Sequence, residues 1–401
     1  MHPSAELYGS DRVALESARA LVADGWVVHA SLTADGPLAG LLREAGAEVT
    51  VLPAPVLRKA LLSPLGLVRF AADVLRRTPA MLGLLRRTRP DLVYVSTVTS
   101  PLWLPLARLT RRRVVVHLHE AEADVPKVVR VGLAAPLLLA HRIVANSAVS
   151  RDVVAADLPR LRRRTDVVYN GVPGPPAPPA PAREALEPPV RLVLAGRVSP
   201  RKGTDVAVSA LAELRRRGVA AELDLAGGIF PGYEWFERDV ADLAEREGVA
   251  GQVHRLGVLP QVWDALAAAD VVLVPSRVEP FGNAAVEAML AERPVVAGRT
   301  QGLVEIVRPG ENGALAAPGD ATSLADAVQG LLDDWPAARA RAGRARAEAE
   351  ERYSPERYRA DLVALARAVV GSGRRGRGAA PGAPAAEAAP AVPRSADLPP
   401  I

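Results

Sequence analysis

The chain has 401 residues, of which 49% are hydrophobic and 24% are charged, enough apolar content for two or three packed domains. Its 50 Lys and Arg nearly balance its 45 Asp and Glu, so a protein that coats nucleic acid is not expected. Cysteine is absent, which excludes disulfide scaffolds, thiolate metal sites and a cysteine nucleophile. The longest apolar stretch, residues 131–140, is far shorter than the roughly 20 residues of a membrane-crossing helix. With no secretory signal either, we expect a cytoplasmic protein.

Short apolar strands alternate with helices along the first half of the chain. Apolar residues at helical spacing predict a helix over residues 10–24, which Gly25 ends. We predict strands over residues 27–32, 49–52, 92–96, 114–118, 143–146 and 166–169. Strands of this continuous apolar type indicate a parallel sheet that helices cover on both faces.

Residues 58–89 are unusually basic, with eight Lys or Arg and a single acidic residue, Asp73. Apolar residues are interleaved with these cations at helical spacing. Such a segment favours an anionic membrane surface or an anionic acceptor. A pair of ordinary surface helices is the alternative interpretation.

The second half repeats the alternation after a proline-rich segment. Residues 173–189 contain eight prolines and predict a stiff linker. We then predict strands over residues 191–196, 221–226, 253–256, 271–275 and 294–297, with helices such as 204–217 and 283–291 between them. The sequence therefore predicts two doubly wound α/β domains with a cleft between them, where the strands end.

The segment from Gly196 to Gly203 is the first candidate site. It follows a predicted strand and opens a predicted helix, so its amides lie at a helix N-terminus, where anions bind. Arg197 and Lys202 add two cations, which suits a diphosphate. The segment contains neither a P-loop nor a dinucleotide fingerprint, and an ordinary basic loop is the alternative.

A second candidate site follows the strand predicted over residues 271–275. Glu279 precedes a tight turn, Asn283 is the expected N-cap of the next helix, and Glu287 lies in the second turn of that helix. The helix is otherwise apolar, so the Glu287 carboxylate needs a partner. A ribose diol fits, because a carboxylate accepts two hydroxyl hydrogen bonds; pairing with a buried arginine is the alternative.

Two further segments carry weaker signals. Residues 301–306 follow the last predicted strand, and their amides would suit an anion. His117 and His119 share one face of the strand predicted over residues 114–118. We interpret His117 as structural and His119 as a polar contact in the cleft. A metal site is the less favoured alternative, because two histidines rarely suffice.

Taken in this order, the motifs resemble those of the family 4 retaining glycosyltransferases over about residues 5–370. That family has the GT-B fold, in which two doubly wound, parallel-sheet, Rossmann-like domains face a cleft. The resemblance rests on these segments: Tyr8-Gly9-Ser10-Asp11-Arg12, His119-Glu120, Asn146-Ser147, Asn170-Gly171-Val172, Arg197 with Arg201-Lys202-Gly203, and Glu279-Pro280-Phe281-Gly282 with Glu287.

The resemblance implies a role for each matching residue. Four would be catalytic: His119 near the reacting carbon, Glu279 beside the donor sugar, and Arg197 and Lys202 on the diphosphate. The donor would also be bound by Gly9, Ser10, Phe281, Gly282, Asn283, Glu287, Gly302 and Leu303. Of these, Glu287 would bind the ribose, and the amides of Gly302 and Leu303 would contact donor hydroxyls or phosphate. Beyond the nucleotide sugar itself, neither a cofactor nor a metal is expected.

The resemblance also divides the chain into five segments. These would be an acceptor-side domain (1–172), a linker (173–189), a nucleotide-sugar-binding domain (190–354), a helix that crosses back to the first domain (355–370) and a disordered tail (371–401). Members of the family begin with a buried central strand, which is missing here because Met1 leads almost directly into the glycine loop. We therefore expect the natural chain to begin upstream of Met1.

These features favour a retaining enzyme that moves a hexose-type sugar from a nucleotide-sugar donor to an acceptor hydroxyl. Residues 58–89 suggest an anionic membrane surface, hence a cell-envelope glycan or lipid-linked acceptor at the inner face of the plasma membrane. A soluble natural-product acceptor is one alternative, and a nucleotide-sugar- or glycan-binding protein without turnover is another. No nucleic-acid partner is expected, since aromatic residues make up only 4% of the chain.

Overall fold

The computed structural model describes residues 1–57, 64–119, 127–229 and 232–371. The predicted tail, apart from Gly371, lies outside the described residues, as do residues 58–63 of the basic segment and Glu120 of the histidine motif.

The N-terminal half contains two parallel sheets, β1-β2 and β3-β4-β5-β6, in the part of the chain that the structure describes. The strands are β1 His29–Leu32, β2 Glu48–Val51, β3 Leu92–Val95, β4 Arg113–Leu118, β5 Arg142–Ala145 and β6 Thr165–Val167. The helices are α1 Gly9–Ala23, α2 Pro37–Glu44, α3 Pro64–Thr88, α4 Trp103–Leu109, α5 Lys127–Ala134 and α6 Ala148–Asp157.

The first two residues join these sheets. His2 forms a parallel bridge with Leu32 of β1, and its N–H donates to the Ser31 carbonyl over 3.0 Å. On the other side, the Ser96 N–H donates to the Met1 carbonyl over 3.0 Å. Met1 and His2 therefore lie between β1 and β3 and link the two sheets.

The C-terminal half has one parallel sheet in the order β12-β11-β10-β7-β8-β9 among its described residues. The strands are β7 Val190–Ala195, β8 Ala221–Ala226, β9 Val253–Gly257, β10 Val271–Val274, β11 Val295–Gly298 and β12 Ala314–Ala316. The helices are α7 Thr204–Arg216, α8 Glu234–Arg246, α9 Trp263–Ala268, α10 Asn283–Leu290, α11 Leu303–Ile306, α12 Ala321–Asp333, α13 Trp335–Arg352 and α14 Pro355–Gly371. The predicted α/β class is confirmed; the short strand β12 was not predicted.

Residues 64–88 of the basic segment form one long helix, α3, rather than a pair of helices. Its second half packs into the core through Met81 and Leu85, which are fully buried. Its first half instead exposes Val68 and Leu75, at 66% and 77% of their surface. None of the described helices is long and apolar enough to cross a bilayer.

The proline-rich residues 173–189 contain no helix or strand, although they are all described. Ala182 is buried in the core of the C-terminal half. The Arg183 guanidinium pairs with the buried Asp270 carboxylate, and the Trp335 indole donates to the Arg183 carbonyl over 2.9 Å. These contacts hold the linker against the C-terminal half.

Several contacts tie the halves together, among them two that involve α14 and α6. Helix α14 lies against α1, where the Tyr358 and Ser17 hydroxyls are 2.5 Å apart. Ala148 and Val149 are the first two residues of α6. The Glu305 carboxylate accepts hydrogen bonds from their backbone amides over 3.0 and 2.8 Å. A carboxylate at this end of a helix satisfies free N–H groups and is stabilised by the helix dipole.

Candidate functional site

A cavity of about 410 Å³ lies between the halves, where strands β3 to β6 of the N-terminal half and β7 and β10 of the C-terminal half end. From the N-terminal half it is lined by His2, Pro3, Tyr8, Gly9, Ser10, Arg12, Ser96, Thr97, Thr99, His119, Asn146 and Asn170. From the C-terminal half it is lined by Ala195, Gly196, Arg197, Arg201, Lys202, Glu279, Pro280, Phe281, Gly282, Asn283, Ala284 and Glu287. Ten of the twelve predicted site residues therefore meet in one cavity, the exceptions being Gly302 and Leu303.

Three cations enter the cavity from the loop between β7 and α7: Arg197, Arg201 and Lys202. Gly203 ends this loop with a φ of +70°, and a Cβ there would lie 2.1 Å from the Pro275 carbonyl oxygen. Only glycine combines that backbone conformation with so close an approach. The approach brings Lys202 next to the loop that follows β10.

Lys202 and Glu279 form an ion pair, with Nζ 2.5 Å from Oε2. Burial alone would raise the pKa of Glu279, but Lys202 and the nearby Arg201 and Arg197 outweigh burial and hold it below its usual value. Glu279 is therefore ionised and offsets part of the charge of the loop. The sequence had suggested both residues as ligand contacts but not their contact with each other.

Arg197 reaches across the cleft toward the N-terminal half. Its guanidinium carbon lies 4.5 Å from the centre of the Tyr8 ring, in a cation–π arrangement. Tyr8 is the residue before α1, so this contact places the cation beside the glycine loop. The two halves thus contact each other at the cavity itself.

Glu287 differs from Glu279 in having no hydrogen-bond donor among the described residues. It lies on α10 between the buried Val286 and Ala288 and reaches the cavity. Burial raises its pKa to about 7, against smaller opposing effects of Arg12 and Lys202. The sequence also allowed a buried arginine partner for Glu287. Among the described residues, Arg12 and Lys202 instead act on its carboxyl through longer-range electrostatic attraction. Near neutral pH the carboxyl can accept hydrogen bonds from a diol once it is ionised.

The start of α10 departs from the sequence prediction. Gly282, with a φ of +128°, is the N-cap, and Asn283 is the first residue of the helix. The Asn283 side chain does not cap the helix but accepts a hydrogen bond from the Asn170 amide over 3.0 Å. Since Asn170 belongs to the N-terminal half, Asn283 is a contact between the halves.

The two histidines have separate environments. His117 is fully buried, and its Nδ1 lies 2.5 Å from the Tyr94 hydroxyl, so it is structural. His119 lies in the cavity with its ring centre 4.1 Å from that of His117. Burial lowers the pKa of His119 to about 3, so the ring is neutral. No cluster of three or more potential metal ligands occurs in the described ranges.

Gly302 and Leu303 are the two predicted site residues that lie outside the cavity. Neither lines the cavity, and their amides donate to the carbonyls of Glu279 and Thr300, each over 3.0 Å. A Cβ on Gly302 would lie 2.3 Å from the Pro280 carbonyl oxygen. Gly302 therefore supports the loop that carries Glu279, and the amides of Gly302 and Leu303 already have carbonyl partners.

Several cavity residues were not singled out from the sequence. Arg201, Tyr8 and Arg12 belong to the motif segments quoted for the resemblance, so the signal was present. Ser96 ends the segment predicted as the third strand, which is where such sheets bind ligands. His2 carried no signal, because its place depends on how Met1 and His2 join the two sheets.

The raised pKa of Glu287 predicts a pH dependence of stability. The folded carboxyl binds its proton more tightly than the unfolded one, so its contribution is complete below about pH 4.5 and is lost as the pH rises through about 7. Allowing for the part of the side chain that solvent reaches, the loss is on the order of 2 kcal/mol. Urea unfolding of wild type and Glu287→Gln between pH 5 and 8 measures it.

The matched control is Glu351→Gln, on the exposed face of α13. We expect the stability of Glu287→Gln relative to wild type to increase with pH, and that of Glu351→Gln to stay constant. Parallel pH profiles for wild type and Glu287→Gln would contradict the raised pKa.

Two family models match the chain: Glycosyltransferase Family 4 over residues 8–173 and Glycosyl transferases group 1 over residues 189–334. A glycogen synthase of Mycobacterium tuberculosis is 35% identical over 183 residues, which cover 45% of this chain and 42% of the relative. A D-inositol 3-phosphate glycosyltransferase of Catenulispora acidiphila is 33% identical over 232 residues, which cover 53% and 54%. The chain thus spans about half the length of the curated relatives it matches.

Solved structures match almost the whole chain. Anabaena Alr3699/HepE in complex with UDP and glucose superposes with a TM-score of 0.74 at 24% identity, covering 91% of this chain and 97% of that one. Sucrose-phosphate synthase from Thermosynechococcus elongatus gives a TM-score of 0.71 at 21% identity, covering 92% and 95%. These likenesses confirm the GT-B fold. Since the two family models account for both halves, the chain belongs to glycosyltransferase family 4, the glycosyl transferases group 1.

Proposed function

We propose that the protein is a retaining glycosyltransferase that moves a hexose-type sugar from a nucleotide-sugar donor to an acceptor hydroxyl. One observation carries the proposal: Arg197, Arg201 and Lys202 share a single cavity with Glu287 from the same half and His119 from the other. Cations suit a diphosphate, a carboxylate suits a ribose diol, and a polar neutral ring suits a sugar hydroxyl.

The identity of the nucleotide base in the donor is supported less directly than its diphosphate. Anabaena Alr3699/HepE has been solved with UDP and with UDP-glucose, and its fold is that of this chain. This makes a uridine diphosphate sugar the first donor to test. The sugar itself is proposed only as a hexose.

The chemistry of transfer fits the charges in the cavity. The bond between the sugar C1 and the diphosphate breaks, and the leaving diphosphate gains negative charge that Arg197, Arg201 and Lys202 can stabilise. The acceptor oxygen forms the new bond to C1 on the same face, and its proton passes to a phosphate oxygen of the leaving group. Contacts between the two halves would keep water from the donor.

Retention without a covalent intermediate is supported by the state of the carboxylates. Among the described cavity residues these are Glu279 and Glu287. Glu279 forms an ion pair with Lys202, and Glu287 lies on the apolar helix α10. In the proposed site Glu287 binds the ribose, so neither carboxylate is assigned as a nucleophile.

The acceptor is proposed to be a cell-envelope glycan or a lipid-linked precursor, used at the inner face of the plasma membrane. The support is the exposed stripe on the first half of α3, where Val68, Arg69, Leu75 and Arg76 all face solvent. Such a mixture of apolar and basic residues favours an anionic lipid surface. A soluble acceptor remains the alternative, as does a binding protein without turnover.

Turnover tests the proposed reaction. With UDP-hexose donors and a panel of acceptors we expect release of UDP and a product whose anomeric configuration matches the donor, read by NMR of the new glycosidic proton. Lys202→Ala removes a cation that stabilises the leaving group and should lower kcat/KM about 100-fold.

Lys127→Ala provides the control, since Lys127 is exposed and lies outside the cavity. It should retain wild-type activity. Binding of donor without diphosphate release, across the panel, would support the non-catalytic alternative, and an inverted product would contradict the same-face mechanism.

Vesicle sedimentation tests the membrane surface. Wild type should sediment with phosphatidylglycerol vesicles at low salt and be released at high salt, because lipid charges attract Arg69 and Arg76 only while they are unscreened. Arg69→Glu combined with Arg76→Glu should lower the vesicle-bound fraction at low salt about tenfold or more.

The control combines Arg238→Glu and Arg246→Glu on the exposed side of α8, with the same change of charge. It should bind nearly as wild type does. Absence of salt-sensitive binding by wild type would instead favour the soluble acceptor.

A further inference from the structure

A chain of four polar side chains runs beneath the His119 side of the cavity. The His2 ring lies between two partners, with Nε2 2.6 Å from Asp11 Oδ1 and Nδ1 3.1 Å from Ser96 Oγ. Ser96 Oγ in turn lies 3.4 Å from His119 Nε2. His2, Ser96 and His119 line the cavity, and Asp11 is buried behind them.

These contacts join separate elements at one place. Asp11 lies in the first turn of α1, Ser96 follows β3 and His119 follows β4. Asp11 also accepts from the Tyr8 amide over 2.8 Å, so one carboxylate holds both the glycine loop and His2. Burial alone would raise the pKa of Asp11, but His2 and the Tyr8 amide outweigh burial and lower it. Asp11 is therefore ionised, and the proton between it and His2 is carried by His2 Nε2.

The hydroxyl of Ser96 has a single proton to donate. If Ser96 donates to His2 Nδ1, its oxygen accepts from His119, whose Nε2 then carries the ring proton. If Ser96 donates to His119 Nε2, that nitrogen has no proton and Nδ1 carries it instead. The neutral ring of His119 has one N–H, so the direction of the Ser96 hydroxyl selects its tautomer.

We propose that Asp11, His2 and Ser96 are positioning residues that hold His119 in one neutral tautomer. The consequence rests on the proposed function, in which His119 faces the donor sugar. The tautomer decides whether the ring nitrogen toward the sugar donates or accepts a hydrogen bond. Partners of this kind, one contact removed from a functional histidine, commonly change activity by about 10–100-fold.

NMR of protein labelled with ¹⁵N-histidine tests the proposal directly, with His119 assigned from a His119→Gln variant. In wild type one His119 ring nitrogen should have the shift of a protonated nitrogen and the other that of an unprotonated one. In Ser96→Ala both should move toward an average of the two tautomers. We also expect kcat to fall about tenfold while the Kd for UDP stays within twofold, since UDP is assigned to the other half.

Ser100→Ala is the matched control. Ser100 is a buried serine four residues further along the same loop; it does not line the cavity or form a side-chain hydrogen bond to a described residue. The ¹⁵N shifts of His119 in Ser100→Ala should equal those of wild type. His2→Gln is a second variant, which keeps an amide donor for Asp11 but lacks the ring, and it should also give averaged shifts.

Unchanged His119 shifts in folded Ser96→Ala and His2→Gln would overturn the proposal. Suppose instead that the tautomer changes in the variants but wild type binds no nucleoside diphosphate. That result would support the positioning role of Asp11, His2 and Ser96 and would contradict the proposed function. The two claims therefore fail separately.

Discussion

An excess of positive charge at one edge of the C-terminal sheet is the constraint on which the rest of the site depends. Arg197, Arg201 and Lys202 converge there, and Glu279 is the ionised carboxylate that partly offsets them. Arg197 and Lys202 are partly buried and require counter-charges, whereas Arg201 is exposed; the single carboxylate of Glu279 does not balance all three cations. An anionic ligand would supply negative charge at this edge, so electrostatics supports the proposed diphosphate site in addition to family membership.

The N-terminal half supplies the opposite wall, and specific contacts hold it in place. Arg197 lies over Tyr8, Asn170 donates to Asn283, and the Glu305 carboxylate receives the first amides of α6. Each contact pairs a residue from one half with a residue from the other. The neutral His119 and the titratable Glu287 therefore face a common space, although the two halves have separate hydrophobic cores.

Much of this arrangement could be predicted from the sequence, because it depends on local patterns. Continuous apolar strands gave the parallel sheets, the loop after β7 gave Arg197 and Lys202, and the loop after β10 together with α10 gave Glu279 and Glu287. What could not be predicted depends on distant contacts. The sequence did not show that the Glu279 carbonyl accepts from the Gly302 amide, and it did not show that β1 and β3 lie on either side of His2.

The most direct measurement compares nucleoside diphosphates with their monophosphates. Thermal shift with UDP, GDP, ADP and TDP, each beside its monophosphate, reports how much the second phosphate adds to binding. Wild type and Lys127→Ala should be stabilised clearly more by one diphosphate than by its monophosphate, and Lys202→Ala should lose that difference. Equal stabilisation by diphosphate and monophosphate in wild type, or a difference that survives in Lys202→Ala, would contradict a diphosphate site at these cations.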